Sequence, residues 1–443
     1  MHAQPRRPRV PGSPLVRFAV VTVLTGIGAG FGGIALALLL HFLQHVAYGY
    51  SITHLIGNES FYEGVEAASA GRRIAVLAAC GVIAGCGWFA IYRYGRPLVS
   101  IKKAVASDDP RMPAVTTAAH ALLQIITVAL GSPLGREVAP REIGSLLAGW
   151  LSHYAGLSVE QTRLMVACGA GAGLAAVYNV PFGGAIFVLE VLLRSFEVRV
   201  VIPALVTSVI AAVVAWLGLG DTSQYVVPHF GLSANLVTWS IIAGPVFGVA
   251  AFAFVQLTIK ARAAAPKGWM LPLLSLANFL IIGLLAVSFP QILGNGKTPA
   301  QLGFSNELTI GLAGTLLIIK VAITASSLRA GAQGGLLTPG MSNGALLAIV
   351  LGGLWTLIWP GTPMGAFAIV GATAFLASSM KMPITALVLM VEFTRVDHDF
   401  LVPMLCAVAG SIAISRLLEL RMQAHARSSK PGSELKGAAV SRG

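Results

Sequence analysis

The stretch AAVYNVPFGGAIFVLEV, residues 175–191, returns later in the chain as ASSMKMPITALVLMVEF, residues 377–393. Each opens on alanine, reaches proline six residues on and glutamate nine after that: Ala175, Pro181 and Glu190 against Ala377, Pro383 and Glu392. The offset is 202 residues, and it also carries Glu137, in GSPLGREVAPREIG (131–144), to Pro339, in AGAQGGLLTPG (330–340). Two features at one offset predict two related halves. Each half holds a glycine-rich turn followed about 50 residues later by a proline-to-glutamate helix. Repeated halves with interrupted helices place a binding site at their shared interface, near the membrane midplane.

The surrounding sequence says which solvent those helices meet. Of 443 residues, 56% are hydrophobic and 11% charged, with a mean hydropathy of +0.80. Soluble domains carry about 25% charged residues, so a soluble fold is excluded in favour of an all-α integral membrane protein. Apolar segments recur from residue 15 to residue 420, and those at 143–154, 182–195 and 384–394 are short. Spanning about 30 Å takes roughly 20 helical residues, so short segments at membrane depth must be shielded by protein or line a wet cavity. The predicted organisation is a basic tail (1–14), a first half (about 15–218), a second half (about 237–420) and a basic tail (421–443) without further domains. Arg6, Arg7 and Arg9 precede the first apolar run, and Arg421, Arg427, Lys430, Lys436 and Arg442 follow the last. Basic flanks mark cytoplasmic ends, so both termini are expected inside the cell membrane. The net charge of +13 is thereby spent on orientation and anionic lipid rather than nucleic acid. The first apolar run is too long for a cleaved signal. Cys80, Cys86, Cys168 and Cys406 lie in apolar segments without metal-like spacing and read as small core residues. No metal or cofactor is implied.

The charged stretch 131–144 is the anomaly. A turn of small residues leading into a helix presents free backbone N–H groups and partial positive charge. Both 131–140 and 331–340 have this character, and two such termini facing each other make a seat for a small anion. The Glu137 carboxylate is itself an anion. It can occupy that seat as a gate, displaced by protonation or by the permeant ion. It can equally form a structural pair with Arg136 or Arg141. Glu190 and Glu392, at equivalent positions, read as structural. Arg329 and Lys320 either raise the local positive potential or face the cytoplasm.

These motifs resemble the CLC family of chloride channels and proton-coupled anion transporters over roughly residues 75–420. GREVAP is similar to the family's GREGP motif, which implies Glu137 as the gate beside Gly135, Arg136 and Val138. AGAQGGLLTPG resembles its glycine-rich GGxFxP turn, which implies that Gly335, Leu336 and Leu337 bind the anion. The stretch 173–191 and its repeat at 378–394 resemble the helices that follow. The resemblance implies two inverted-topology repeats and a homodimer with one pore per subunit. The departures bear on mechanism. Val138 replaces a glycine, and Pro140 comes one residue late. Gly95–Val99 stands where the family has GSGIP, which places Arg96 at the anion-coordinating serine, facing either the pore or the cytoplasm. Val191 replaces the exchangers' internal proton-carrying glutamate. No tyrosine follows Tyr225.

The expected function is therefore transmembrane passage of a small monovalent anion, chloride first, by channel or secondary transporter. Glu142, one turn past Glu137, is a candidate proton carrier or an i,i+4 surface partner. Fluoride export is the alternative anion, and a non-conducting structural or regulatory membrane protein is the alternative class. The nine histidines form no HExxH-like set, which argues against an enzyme.

Overall fold

The structure, a computed structural model, describes residues 13–50 and 60–428. The expected basic ends, with Arg6, Arg7, Arg9, Lys430, Lys436 and Arg442, lie outside those residues. In chain order the helices are α1 (Pro14–Tyr48), α2 (Phe61–Ala67), α3 (Ala70–Tyr94), α4 (Ile101–Ala106), α5 (Ala114–Ala129), α6 (Val138–Tyr154), α7 (Val159–Tyr178), α8 (Pro181–Phe187) and α9 (Val198–Leu219). There follow α10 (Ala234–Ala263), α11 (Met270–Ser288), α12 (Lys297–Phe304), α13 (Ile310–Arg329), α14 (Leu337–Trp355), α15 (Met364–Met380), α16 (Pro383–Thr394) and α17 (Leu401–Ser428). Helix α17 continues past the expected boundary at 420. Among the described residues, eight helices are long and apolar enough to cross a membrane.

The repeat is a repeat of packing. α1 lies on α9 and α7 as α10 lies on α17 and α15. α6 crosses α7 as α14 crosses α15, and α5 meets α6 as α13 meets α14. The halves join through α3 against α11 and α8 against α16. α7 and α15 form the middle: both are runs of alanine and glycine, buried along almost their whole length. Small side chains let helices approach closely where lipid offers no hydrophobic drive. Cys80 and Cys168 are buried in this packing, but Cys86 is exposed on the outer side of α3, against the expectation of a core residue.

The offset is not constant. It is 202 at the left-handed residues Asn179 and Lys381, and 200 at Gly131 and Gly331, whose φ values of 103° and 95° end α5 and α13. The structural counterpart of Glu137 is thus near Leu337 rather than Pro339, and the 202-residue match there was a slip of register. The charged stretch also becomes helical earlier than its composition suggests. α6 starts at Val138, with Pro140 in its first turn, where a missing N–H costs nothing.

Glu190 and Glu392 bind the halves to each other. Glu392 accepts from Phe182 N (3.0 Å) and Gly183 N (2.6 Å), the open N-terminus of α8. Glu190 accepts from Ile384 N (3.0 Å), Thr385 N (2.7 Å) and Thr385 Oγ1 (2.6 Å), the open N-terminus of α16. Each carboxylate caps the other half's helix. The negative charge meets the positive end of a helix dipole, and otherwise orphaned donors are satisfied. The α8 side holds one residue more between its proline and the left-handed arginine (Pro181 to Arg194) than does α16 (Pro383 to Arg395). That residue is taken up in a π-helical turn, Val188–Leu193, which contains Glu190. Truncating either carboxylate strands a donor on a buried residue, Gly183 N or Thr385 N, at about 1–3 kcal/mol. Glu190→Ala is expected to lower the melting temperature of the purified protein in detergent more than Glu392→Ala, since it strands three donors rather than two. Melting curves that match the parent protein for both variants would remove this role.

Candidate functional site

The two glycine-rich turns meet backbone to backbone. Gly135 N donates to Gly335 O (2.8 Å), and Gly335 N donates to Gly135 O (2.9 Å). This antiparallel pair is the isolated bridge that joins the two turns. It is a local two-fold axis, and it sets the N-termini of α6 and α14 beside each other. Each terminus has a proline as its third residue, Pro140 and Pro339, so each offers few N–H groups of its own.

Glu137 is the residue that closes this junction. It stands at the N-cap of α6, yet its side chain does not cap its own helix. It crosses to the other half, where Oε1 accepts from Leu337 N, the first residue of α14, at 2.8 Å. The residue is fully buried, and Oε2 has no hydrogen-bond partner. A β-carbon placed on either Gly135 or Gly335 would overlap the Glu137 carboxylate. A side chain on either glycine would therefore contest the place that this carboxylate takes. The carboxylate thus lies against a glycine on two sides, with one N–H in front of it.

Glu137 forms no ion pair among the described residues, against the reading as a structural partner of Arg136 or Arg141. Both arginines act on it electrostatically, as does Arg262 of α10. Arg136 lies over the Tyr178 ring at 5.3 Å, and Arg141 over the Phe187 ring at 4.6 Å. Arg262 holds the second turn by donating to Gly334 O (2.8 Å). Positive potential thus reaches the seat from three guanidiniums without any of them occupying it.

A small cavity adjoins Arg136. About 10 Å³ of space, the scale of one water-sized sphere, is lined by Arg136, Lys297, Tyr178, Tyr225, Asn295 and Thr338 among others. Sequence reasoning missed most of this lining. Tyr225 comes from the connection between α9 and α10, which is tied down by Tyr225 N donating to Phe393 O (3.0 Å) and by Asp221 bonding Asn179 and Arg395. Those contacts hold the exposed Asp221 carboxyl below its usual range, the Asn179 hydrogen bond first and Arg395 second. Asn295 and Lys297 sit on a turn with Gly294 and Gly296 at positive φ. Beneath it the fully buried Lys320 donates to Ile292 O (3.1 Å) and Gly294 O (2.8 Å). Lys320 is therefore internal and supports that turn, while Arg329 is exposed.

The remaining sequence candidates divide. Gly135, Arg136, Val138, Gly335, Leu336 and Leu337 all fall at the junction. Arg96 does not join them: it is exposed on the connection after α3, and its backbone N–H donates to Thr116 Oγ1 at 3.1 Å. The ungapped match that put it at the anion-coordinating position fails because the next helix, α4, starts only at Ile101. Glu142 is buried and bonded to His120, so it is no surface partner. Val191 is half-buried against the core, inside the π-helical turn. Among the described residues no three His, Cys, Asp or Glu gather as metal ligands.

Known proteins are similar to this chain over most of its length. The profile of a family described as voltage gated chloride channel matches residues 79–416. A ClcB-like chloride channel protein of Ralstonia nicotianae is 30% identical over 361 residues, covering 77% of this chain and 82% of that one. The voltage-gated ClC-type chloride channel ClcB of Salmonella typhimurium is 25% identical over 420 residues, covering 91% and 97%. Among solved structures, a slow cyanobacterial Cl⁻/H⁺ antiporter superposes with a TM-score of 0.70 at 18% identity, covering 92% of this chain and 95% of the other. At that identity the likeness speaks for the fold.

The overlap at Gly335 gives a coupled test. Gly335→Ala is expected to destabilise the protein by about 1–3 kcal/mol, because the new methyl contests the carboxylate's space. Adding Glu137→Ala should recover most of that loss, with a coupling of about 0.5–3 kcal/mol in a double-mutant cycle. Simple additivity of the two costs would show that the glycine is not there for the glutamate.

Proposed function

This chain belongs to the CLC family of voltage gated chloride channels, a multi-pass membrane transport protein rather than an enzyme, and we propose that in it Glu137 gates a pathway for a small monovalent anion, chloride first. The supporting observation is the buried Glu137 carboxylate accepting from Leu337 N between Gly135 and Gly335. An ionised carboxylate in an anion's seat excludes the anion. Once protonated, it is a weaker acceptor for Leu337 N–H and carries no charge to be held by the surrounding guanidiniums. The permeant anion then takes its place against the same N–H and helix terminus. The cavity beside Arg136 and Lys297 is the approach on one side. The basic flanks support both termini on the cytoplasmic face, and the family resemblance supports a homodimer with one such pathway in each subunit.

Purified protein in chloride-loaded liposomes tests this. Chloride release is expected to rise as pH falls, by up to about tenfold per unit while the carboxylate is mostly ionised. Glu137→Gln, which cannot ionise, should release chloride at a rate independent of pH. A Glu137→Gln variant that keeps the pH response of the parent would take the gate away from this residue. The same traces in fluoride rank the two anions.

A further inference from the structure

We propose that His120 and Glu142 form a proton-binding site inside the membrane domain, and that this pair supplies the protons that open Glu137. The proposal rests on Glu137 being the gate. It assigns the proton site to α5 and α6, not to the position after Glu190, where Val191 has no group that binds a proton.

The pair is buried, with residue exposures of 8% for His120 and 7% for Glu142. His120 Nδ1 lies 2.9 Å from Glu142 Oε2. A bare ring nitrogen and a bare carboxylate oxygen both present lone pairs, so that separation needs a proton between them. The proton has two seats: on Nδ1 with the carboxylate ionised, or on Oε2 with Nδ1 as acceptor. Gln124, one turn along α5, places Nε2 at 2.9 Å from Nδ1 and 3.3 Å from Oε2. With the proton on Nδ1 it donates to Oε2, and with the proton on Oε2 it shares the Nδ1 lone pair with that bond. Its own Oε1 is buried without a partner. A structural bond has no need of this arrangement, which leaves one amide oxygen unsatisfied, whereas a mobile proton gains by it.

Position along the helices fits a relay. His120 is six residues into α5, about 9 Å along the axis from its start. Just before that start lies a polar connection carrying Asp108, Asp109 and Arg111. Glu142 is five residues after Glu137, about 7.5 Å along α6, a span for one or two waters. Side-chain exposures of 10% and 9% leave the pair narrowly open. On the elements packed around it, Arg141 of α6 acts electrostatically on Glu142 while stacking on Phe187. On α1, His41 faces Arg136, Lys297 and His45. On α3, Arg72 and Arg73 donate to backbone carbonyls and Cys80 to Thr127 O. On α7, Arg163 bonds Ser107 O and Asp108.

The step balances in protons alone. An aqueous proton binds His120 Nε2, and the Nδ1 proton passes to Glu142 Oε2. The Glu142 carboxylic acid then gives its proton, through water, to the Glu137 carboxylate. Glu142 is ionised again, and the imidazole is neutral with the proton on Nε2. Exchange of that proton back to Nδ1 through water resets the pair.

The test uses the full chain in liposomes under a chloride gradient, with chloride release and external pH recorded together. Glu142→Gln keeps an acceptor for His120 Nδ1–H, and His120→Asn keeps a donor near the Nδ1 position, so each preserves the helix contact while removing a proton seat. Protons moved per chloride are expected to fall by at least about tenfold in both variants. An unchanged ratio would overturn the proposal, as would a parent protein that moves chloride without protons. Failure of both variants to elute as folded protein would assign the pair a structural role and equally overturn it. Absence of chloride release from the parent, or release insensitive to Glu137→Gln, counts against the gate reading instead.

Discussion

The mutual hydrogen bond between Gly135 and Gly335 is the constraint on which the rest depends. It is short, made only of backbone, and it fixes the distance between two helix N-termini at membrane depth. Unpaired backbone in that position costs several kcal/mol per group, so irregular turns persist there only if they satisfy each other. Pairing the turns leaves the N–H of Leu337, two residues past Gly335, pointing at the junction. A side chain carrying negative charge is the natural occupant, and Glu137 is two residues away. The absence of a β-carbon on both glycines leaves just enough room for it. Burial of Glu137 follows from that one pairing.

The same logic holds the periphery. Glu190 and Glu392 solve for α8 and α16 the problem that Glu137 solves for α14: each supplies a carboxylate to a helix start belonging to the other half. Three crossed caps therefore stitch the halves together, each accepting from backbone N–H, and Glu190 also from the Thr385 hydroxyl. The difference lies in surroundings. At Glu190 and Glu392 both carboxylate oxygens are bonded. At Glu137 one oxygen is unpartnered and three guanidiniums act nearby.

Much of this was legible in the sequence because the repeat and the glycine-rich turns are covalent facts. The proline-to-glutamate spacing marked α8 and α16, and the charged stretch marked the junction. Short helices were not legible from apolar runs: α4 and α12 hold 6 and 8 residues, too few for a period to show. α2, with 7 residues, opens on a capping box of Ser60 and Glu63, a signal that apolar runs do not carry. Tyr225, Asn295 and Lys297 were invisible for another reason. They reach the cavity through connections whose path is set by long-range bonds such as Gln301 to Val226, and nothing local encodes that. Arg96 was misplaced because an ungapped match cannot see where a helix begins. His120 and Glu142 are 22 residues apart, and only the packing of α5 on α6 makes them one group.

Pseudo-symmetry carries a further lesson about where chemistry sits. The halves share their packing, but the first half holds one extra residue at two places. Gly135 to Pro140 is a residue longer than Gly335 to Pro339, and Pro181 to Arg194 is a residue longer than Pro383 to Arg395. The first insertion lets Glu137 precede its helix and turn toward the other half, where the second half has apolar Leu336 and Leu337. The second forms the π-helical turn containing Glu190 and Val191. At the offset of 200, His120 has Lys320 of α13 as its counterpart, and past the extra residue, where Pro140 matches Pro339 at an offset of 199, Glu142 has Met341 of α14. Lys320 stands at the position equivalent to His120, yet it binds carbonyls and supports a turn, while His120 meets a carboxylate. With these few departures from symmetry, the Glu137 carboxylate belongs to one half and the Leu337 N–H that it accepts from belongs to the other.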